Sequence, residues 1–180
     1  MDKLINLEDL DFGSNRIKVI ENVDSLRENL KAFSIAKNSI RVISGLDNLV
    51  NLTFLTFQAN RLTKIENLST LVNLKELYLS QNFIEKIENL EYLINLEILD
   101  LAYNKIKKIE NLEKNNKLVD LWLNNNLIES LKDIEHLTHM PLLNTVYLCR
   151  NPVASDPLYR KRMVETCKNL EYLDANLVKH

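Results

Sequence analysis

The residues able to do chemistry by type and spacing are few in this 180-residue chain. Trp122 is the only tryptophan, and Asp120 precedes it by two positions, so both side chains leave an extended strand on the same side. An indole beside a carboxylate on an open strand face is not needed for packing; its chemistry is recognition. His136 and His139 stand at i, i+3, which has the look of a metal pair. No nearby carboxylate or cysteine completes a coordination set in a motif, so they read as surface histidines of a longer loop. Cys149 and Cys167 fall in different elements without metal or redox spacing and read as two reduced thiols. There is no glycine-rich phosphate loop, no histidine beside a strand-end nucleophile and no metal-ligand motif. The chain is therefore expected to be no enzyme, with no cofactor and no metal.

Composition narrows the remaining classes. With 46% hydrophobic residues the chain can bury a sizeable core. It holds 34 Leu and 24 Asn against 2 Gly and 3 Pro, a bias that points to one turn used many times. A net charge of −2, from 23 basic and 25 acidic residues, supplies no global field for nucleic acid or an anionic membrane. No apolar run is long enough to span a bilayer, and Met1-Asp2-Lys3 opens without a signal-peptide core. Neither direct nucleic-acid binding nor a membrane role is expected.

The element that must position Trp122 is the stretch Leu118 to Asn126, one copy of L-x-x-L-x-L-x-x-N, the strand segment of a leucine-rich repeat. Copies begin at Leu7, Leu30, Leu52, Leu74, Leu96, Leu118 and Leu143 and end at Asn15, Asn38, Asn60, Asn82, Asn104, Asn126 and Asn151. A 22-residue unit has room for a short strand and a tight return but cannot bury its own apolar face. After each asparagine runs N-x-I-x-x-I-x-N-L, clearest in Asn82 to Leu90, with Lys, Glu and Ser between the aliphatic positions. Its i, i+3 spacing predicts short 3₁₀ or single-turn helical returns on the outer side. The terminal asparagines are structural: an amide can both donate to and accept from backbone groups that lose their ladder partners, forming an asparagine ladder. Asn67, Asn89 and Asn111 read as turn formers.

The expected fold is an α/β solenoid of the leucine-rich-repeat class, with a curved parallel sheet on the concave face and short returns on the convex one. Residues 1–151 form seven repeats, and residues 152–180 form a helical C-terminal cap. In that cap Asp156 and Pro157 supply an N-cap and first helical position, and Tyr159, Met163 and Cys167 share an apolar face with Val164. The segment Asp133 to Met140 lengthens the sixth return by room for one helical turn, and Ser25 to Leu30 inserts one residue earlier. At the amino end Leu4, Ile5 and Leu7 lie just before the first strand without a capping device. Two expectations follow: the chain is the carboxy-terminal portion of a longer solenoid, or its first strand edge associates with another copy.

Stacking parallel strands about 4.8 Å apart aligns Asp11, Ser34, Thr56, Tyr78, Asp100, Trp122 and Tyr147 into a column roughly 30 Å long, the scale of a protein interface. Asp9, Phe54, Glu76, Asp120 and Tyr103 flank it. Tryptophan and tyrosine are frequent binding hot spots. The expected protein-binding residues are Asp11, Phe54, Glu76, Tyr78, Asp100, Asp120, Trp122 and Tyr147, facing a basic partner. The alternative is that Trp122 only stacks on Tyr147 and stabilises the sheet surface.

With the repeats laid out, the chain closely resembles the protein phosphatase-1 regulatory subunit 7 type of leucine-rich-repeat protein. The resemblance rests on Asn60-Arg61-Leu62-Thr63-Lys64-Ile65-Glu66, Asn73 to Ser80, Glu113 to Leu118, and Thr145 to Pro152 followed by Asp156-Pro157-Leu158-Tyr159-Arg160. It covers essentially the whole chain and matches the later repeats of that family. It implies a non-catalytic regulator, nuclear and cytoplasmic, that wraps the phosphatase catalytic subunit with its concave face. Trp122 and Tyr147 look like the family's aromatic contacts. Asp120 and Asp11 stand where that family usually has glutamate, and Ser34 where it has phenylalanine. A similar repeat and cap occur in the spliceosomal A-prime protein, so a scaffold for a ribonucleoprotein component is the alternative reading.

Overall fold

A three-residue window decides each strand. In x-L-x the central residue faces inward and its neighbours outward, and stacking many such windows buries a row that no single repeat could bury. The structure, a computed structural model, describes residues 6–178. The strands are β1 (Asp9–Asp11), β2 (Ala32–Ser34), β3 (Phe54–Thr56), β4 (Glu76–Tyr78), β5 (Ile98–Asp100), β6 (Asp120–Trp122), β7 (Thr145–Tyr147), β8 (Tyr172–Leu173) and β9 (Asn176–Leu177). They form one sheet in chain order, parallel from β1 to β8, with β9 turned back antiparallel on β8. Every repeat pairs in the register set by its asparagine: Asp100 lies opposite Tyr78 on one side and Trp122 on the other. The central residues from Phe33 to Val146 are buried in one continuous aliphatic core. Leu7, Leu10, Phe12 and Ile17, in the first described layer, are partly buried against this core. Leu4 and Ile5 lie outside the described residues.

The turn leaving each strand explains the asparagines. The residue before each one, from Ser14 to Arg150, adopts a left-handed conformation with φ between 54° and 59°. A non-glycine residue rarely does so unsupported. The following asparagine supplies the support. Asn104 donates from Nδ2 to the carbonyls of Leu101 (3.0 Å) in its own turn and Leu79 (3.0 Å) in the one before, and its Oδ1 accepts from the Ile84 N–H (2.9 Å). Asn38, Asn60, Asn82, Asn126 and Asn151 repeat this bonding, so each joins two layers. Among the described residues, Asn15 bonds only the Phe12 and Gly13 carbonyls of its own turn.

A second ladder runs along the return. Asn67, Asn89 and Asn111 are also left-handed and donate to Ile43, Ile65 and Ile87 carbonyls at 2.7 Å. Gly45 holds the equivalent place at φ 74°, where a Cβ would come within 2.7 Å of the Ile20 carbonyl. Both the backbone angle and the close approach call for glycine there.

The convex side differs from the expected helical returns. The I-x-x-I segments form no helix, and the i, i+3 bonds fall one step later, as in Leu71 N–H to Leu68 O and Leu74 N–H to Leu71 O (both 3.0 Å). The spacing of three seen in Ile84 and Ile87 serves to reach the core twice along a nearly straight path, not to wind a helix. Regular 3₁₀ helix forms at Asp24–Leu26, Leu131–His139 and Pro152–Ser155. The second of these is the lengthened sixth return, opened by the Ser130 hydroxyl accepting from the Lys132 N–H (3.1 Å).

The carboxy-terminal helix α1 (Tyr159–Thr166) begins two residues later than Asp156-Pro157 implied, because the Asp156 carboxylate instead accepts from the Leu158 N–H (2.8 Å) in the turn before it. Tyr159, Met163 and Cys167 are buried as the apolar face required. Asp174 locks this end to the sheet: its Oδ1 accepts from the Leu148 and Cys149 N–H groups (2.7 and 2.6 Å), and Oδ2 from the Tyr159 hydroxyl (2.9 Å). Burial and that carboxylate push the Tyr159 hydroxyl pKa far upward.

Candidate functional site

The outward strand positions from β1 to β7 and the next outward position beyond each of these strands make three parallel columns. They carry five carboxylates, Asp9, Asp11, Glu76, Asp100 and Asp120, and no lysine or arginine. The aromatic residues gather toward the carboxy-terminal half. Phe54 and Tyr78 lie 5.4 Å apart, Tyr78 and Trp122 6.1 Å, and Trp122 and Tyr147 6.1 Å between ring centroids. The last two are edge-to-face arrangements, the geometry that ring quadrupoles favour.

Tyr78 and Trp122 are on β4 and β6, so their rings close over β5. Asp100 lies between them and is 6% exposed. Asp100, one of the expected contacts, is thus largely covered in the free chain yet still lines the groove beside the rings. Burial raises its pKa, opposed by the nearby Ser80 side chain and by the Ala102 N–H, which donates to Oδ1 at 2.9 Å. Asp100 thus also serves the strand end. Thr56 and Asp11 do the same for the Gln58 and Gly13 N–H groups (3.2 and 2.6 Å). The Gly13 N–H and the Ser34 hydroxyl hold the Asp11 carboxyl below its usual range.

The remaining expected contacts divide by position. Asp120, Trp122, Tyr147, Tyr78, Glu76 and Phe54 are all half-buried and share the aromatic half of the face. The Tyr78 hydroxyl donates to Glu76 (3.0 Å), and burial followed by that bond pushes its pKa up to about 12. Asp11 is on β1, five strands from Trp122 on β6, and does not join the cluster. The indole Nε1 of Trp122 is buried without a hydrogen-bond partner. A groove of about 390 Å³ runs beside the rings, lined by Asp100, Trp122, Tyr147 and Tyr103. Gln58, Gln81, Asn124 and Cys149 extend its wall, with Ser80 and Ala102 between them. None of these was among the expected contacts. Carrying the same alternation two residues past Thr56, Trp122 and Tyr147 reaches Gln58, Asn124 and Cys149.

His136 Nδ1 lies 3.8 Å from Glu113, a carboxylate from the preceding repeat. Among the described residues no group of three His, Cys, Asp or Glu side chains could hold a metal ion, and no helix is long and apolar enough to cross a membrane. Cys149 and Cys167 are free thiols. Burial raises both pKa values, that of Cys167 to about 12, so neither thiol is primed as a nucleophile.

The leucine-rich repeat family pattern matches residues 64–180. No curated protein sequence matches the chain. Among solved structures, an internalin of Listeria monocytogenes is similar over 99% of this chain at 26% identity, with a TM-score of 0.83. The chain spans 50% of that internalin's length. A leucine-rich-repeat protein of Leptospira interrogans shares 25% identity over 95% of this chain and 44% of its own, with a TM-score of 0.83. A chain of the Drosophila melanogaster SNF/U2A′ complex shares 34% identity, covering 67% of this chain and 71% of that one, with a TM-score of 0.63.

Proposed function

The chain belongs to the leucine-rich repeat family, and from that premise we propose that its concave face binds a partner protein through Phe54, Tyr78, Trp122 and Tyr147. One observation carries this reading: a line of packed aromatic rings runs along columns that hold carboxylates and no cation. Rings supply binding area with little entropy to lose, and a one-signed field selects a basic partner. A non-catalytic scaffold is what such a surface serves, with no reaction of its own.

The finer reading is a regulatory subunit that binds the catalytic subunit of protein phosphatase-1, nuclear and cytoplasmic in location. It is supported by the run from Asn60 to Glu66, by Glu113 to Leu118, and by the cap residues from Thr145 through Arg160. A second reading is favoured by the 34% identity to a chain of the SNF/U2A′ complex: a scaffold for a protein component of a ribonucleoprotein.

Titration calorimetry of the chain against the phosphatase catalytic subunit, and separately against a ribonucleoprotein partner of the SNF kind, discriminates them. Binding of the phosphatase alone supports the first reading, and binding of the SNF-type protein alone supports the second. Trp122→Ala and Asp120→Ala should each weaken whichever complex forms. If both variants bind like wild type, the concave face is not the site.

A further inference from the structure

The flank where the chain leaves the sheet breaks the repeat's own rule for solvated positions. Four residues after the ladder asparagine, later repeats place Lys64, Lys86 and Lys108, whereas the first two place Val19 and Val42, which are 57% and 51% exposed. One residue after the asparagine, Arg61 and Lys105 are neighbours of Phe83, 46% exposed. These apolar side chains do not pack in the core, and no fold requirement at their positions calls for them. They lie in two adjoining depressions of about 440 and 380 Å³ that share Arg41, Val42 and Arg61. The result is a continuous trough from Lys18 to Phe83.

Its rim is of one sign. Lys18, Arg41 and Arg61 line it, no carboxylate does, and among the described residues none of the three cations is in an ion pair. Ser39 and Ser44 add hydroxyls at one side. The trough crosses four repeats, roughly 15 Å at strand spacing, which four or five residues of extended peptide span.

We propose that this flank is a second protein-docking surface, separate from the concave face, and that it takes an extended acidic peptide segment carrying an aliphatic side chain. The aliphatic group sits on Val19 and Val42, and the acidic groups meet Lys18, Arg41 and Arg61. The apolar floor decides against nucleic acid, whose phosphates would gain nothing from two valines and would find only three cations here. The surface does not depend on the identity of the concave-face partner, so one chain can hold two segments at once.

The test is selection from a phage-displayed library of random linear peptides of about a dozen residues, followed by fluorescence anisotropy with the enriched peptides. The expected sequences combine Asp or Glu with Leu, Ile or Val. Arg41→Glu and Val42→Asp should each weaken them about tenfold or more, the loss expected when a contact of about 1.4 kcal/mol disappears. Both positions are exposed, and unchanged thermal unfolding would show the variants folded. Trp122→Ala should leave the affinity unchanged. Failure to enrich acidic-aliphatic peptides overturns the proposal. So does equal binding by the Arg41 and Val42 variants, loss of binding in Trp122→Ala, or tighter binding of a labelled single-stranded oligonucleotide that ignores Val42→Asp.

Discussion

Tyr78 and Trp122 meet at 6.1 Å between ring centroids although a whole strand separates the strands that carry them, and the carboxylate of Asp100 lies beneath the contact. Covering it raises its pKa above the ordinary value of 3.8. The folded chain therefore binds more protons than the unfolded chain just above that value, and wild-type stability falls as pH rises through the interval up to the folded pKa. Asp100→Asn keeps an oxygen for the Ala102 N–H and removes the charge. The variant should be more stable than wild type at neutral pH, with the gain vanishing near about pH 3, where both states of the wild-type carboxyl are protonated. Urea unfolding at the two pH values measures it.

Trp122 separates binding from folding. Its half-buried ring touches Tyr78 and Tyr147, and its Nε1 lacks a partner. Trp122→Ala should cost about 2 kcal/mol or more of partner binding, roughly thirtyfold in Kd, as hot-spot tryptophans do. Trp122→Phe should change unfolding free energy by less than about 1 kcal/mol, because the lost ring area is offset by removal of an unpaired donor. Calorimetric titration and chemical denaturation report the two quantities on the same samples.

The asparagine ladder makes cost depend on position. Asn104→Ala leaves the Ile84 N–H without its partner in a buried layer, while the Leu79 carbonyl keeps the Asn82 amide. It should destabilise by about 1–3 kcal/mol, the penalty of one orphaned buried group. Asn15→Ala removes bonds that are exposed and confined to one turn, so less than about 1 kcal/mol is expected. Equal losses in urea titrations would remove the inter-layer explanation.

Asn115 occupies a place that Leu49, Leu71 and Leu93 hold in the preceding repeats and is 0% exposed. Its Nδ2 donates to the Leu90 and Leu93 carbonyls (2.9 and 3.0 Å), while Oδ1 has no partner. Those carbonyls also accept from the Leu93 and Leu96 N–H groups, so they are not orphaned when the amide leaves. Asn115→Leu should raise stability by about 1 kcal/mol or more, consistent with removing one unsatisfied buried oxygen. A lower melting temperature would show instead that the amide's own bonds outweigh that penalty.

Much of the fold could be read from particular residues. Leu121 and Leu123 alternate with Asp120 and Trp122, and a fixed distance from each to its asparagine sets the strand register; the observed pairing of Asp120 with Thr145 and Trp122 with Tyr147 follows. Local chemistry was less decisive at the returns and at α1. There the same i, i+3 spacing serves a straight path as well as a 3₁₀ turn, and the Asp156 carboxylate could cap either of two starts. The candidate site was half legible. Its columns came from alternation, but Gln58, Asn124 and Cys149, just past the strands, were not among the expected contacts.

The sequence by itself determined the solenoid, its layers, and which side chains leave the sheet, because period and alternation are properties of neighbouring residues along one chain. Only the tertiary structure decided which outward residues stay open. Asp100 and Trp122 occupy the same column and are indistinguishable by period, yet one is covered and the other is part of the cover. The physical reason is that ring contact depends on how Tyr78 and Trp122 lean across a strand, a relation between residues 44 positions apart that no local pattern encodes.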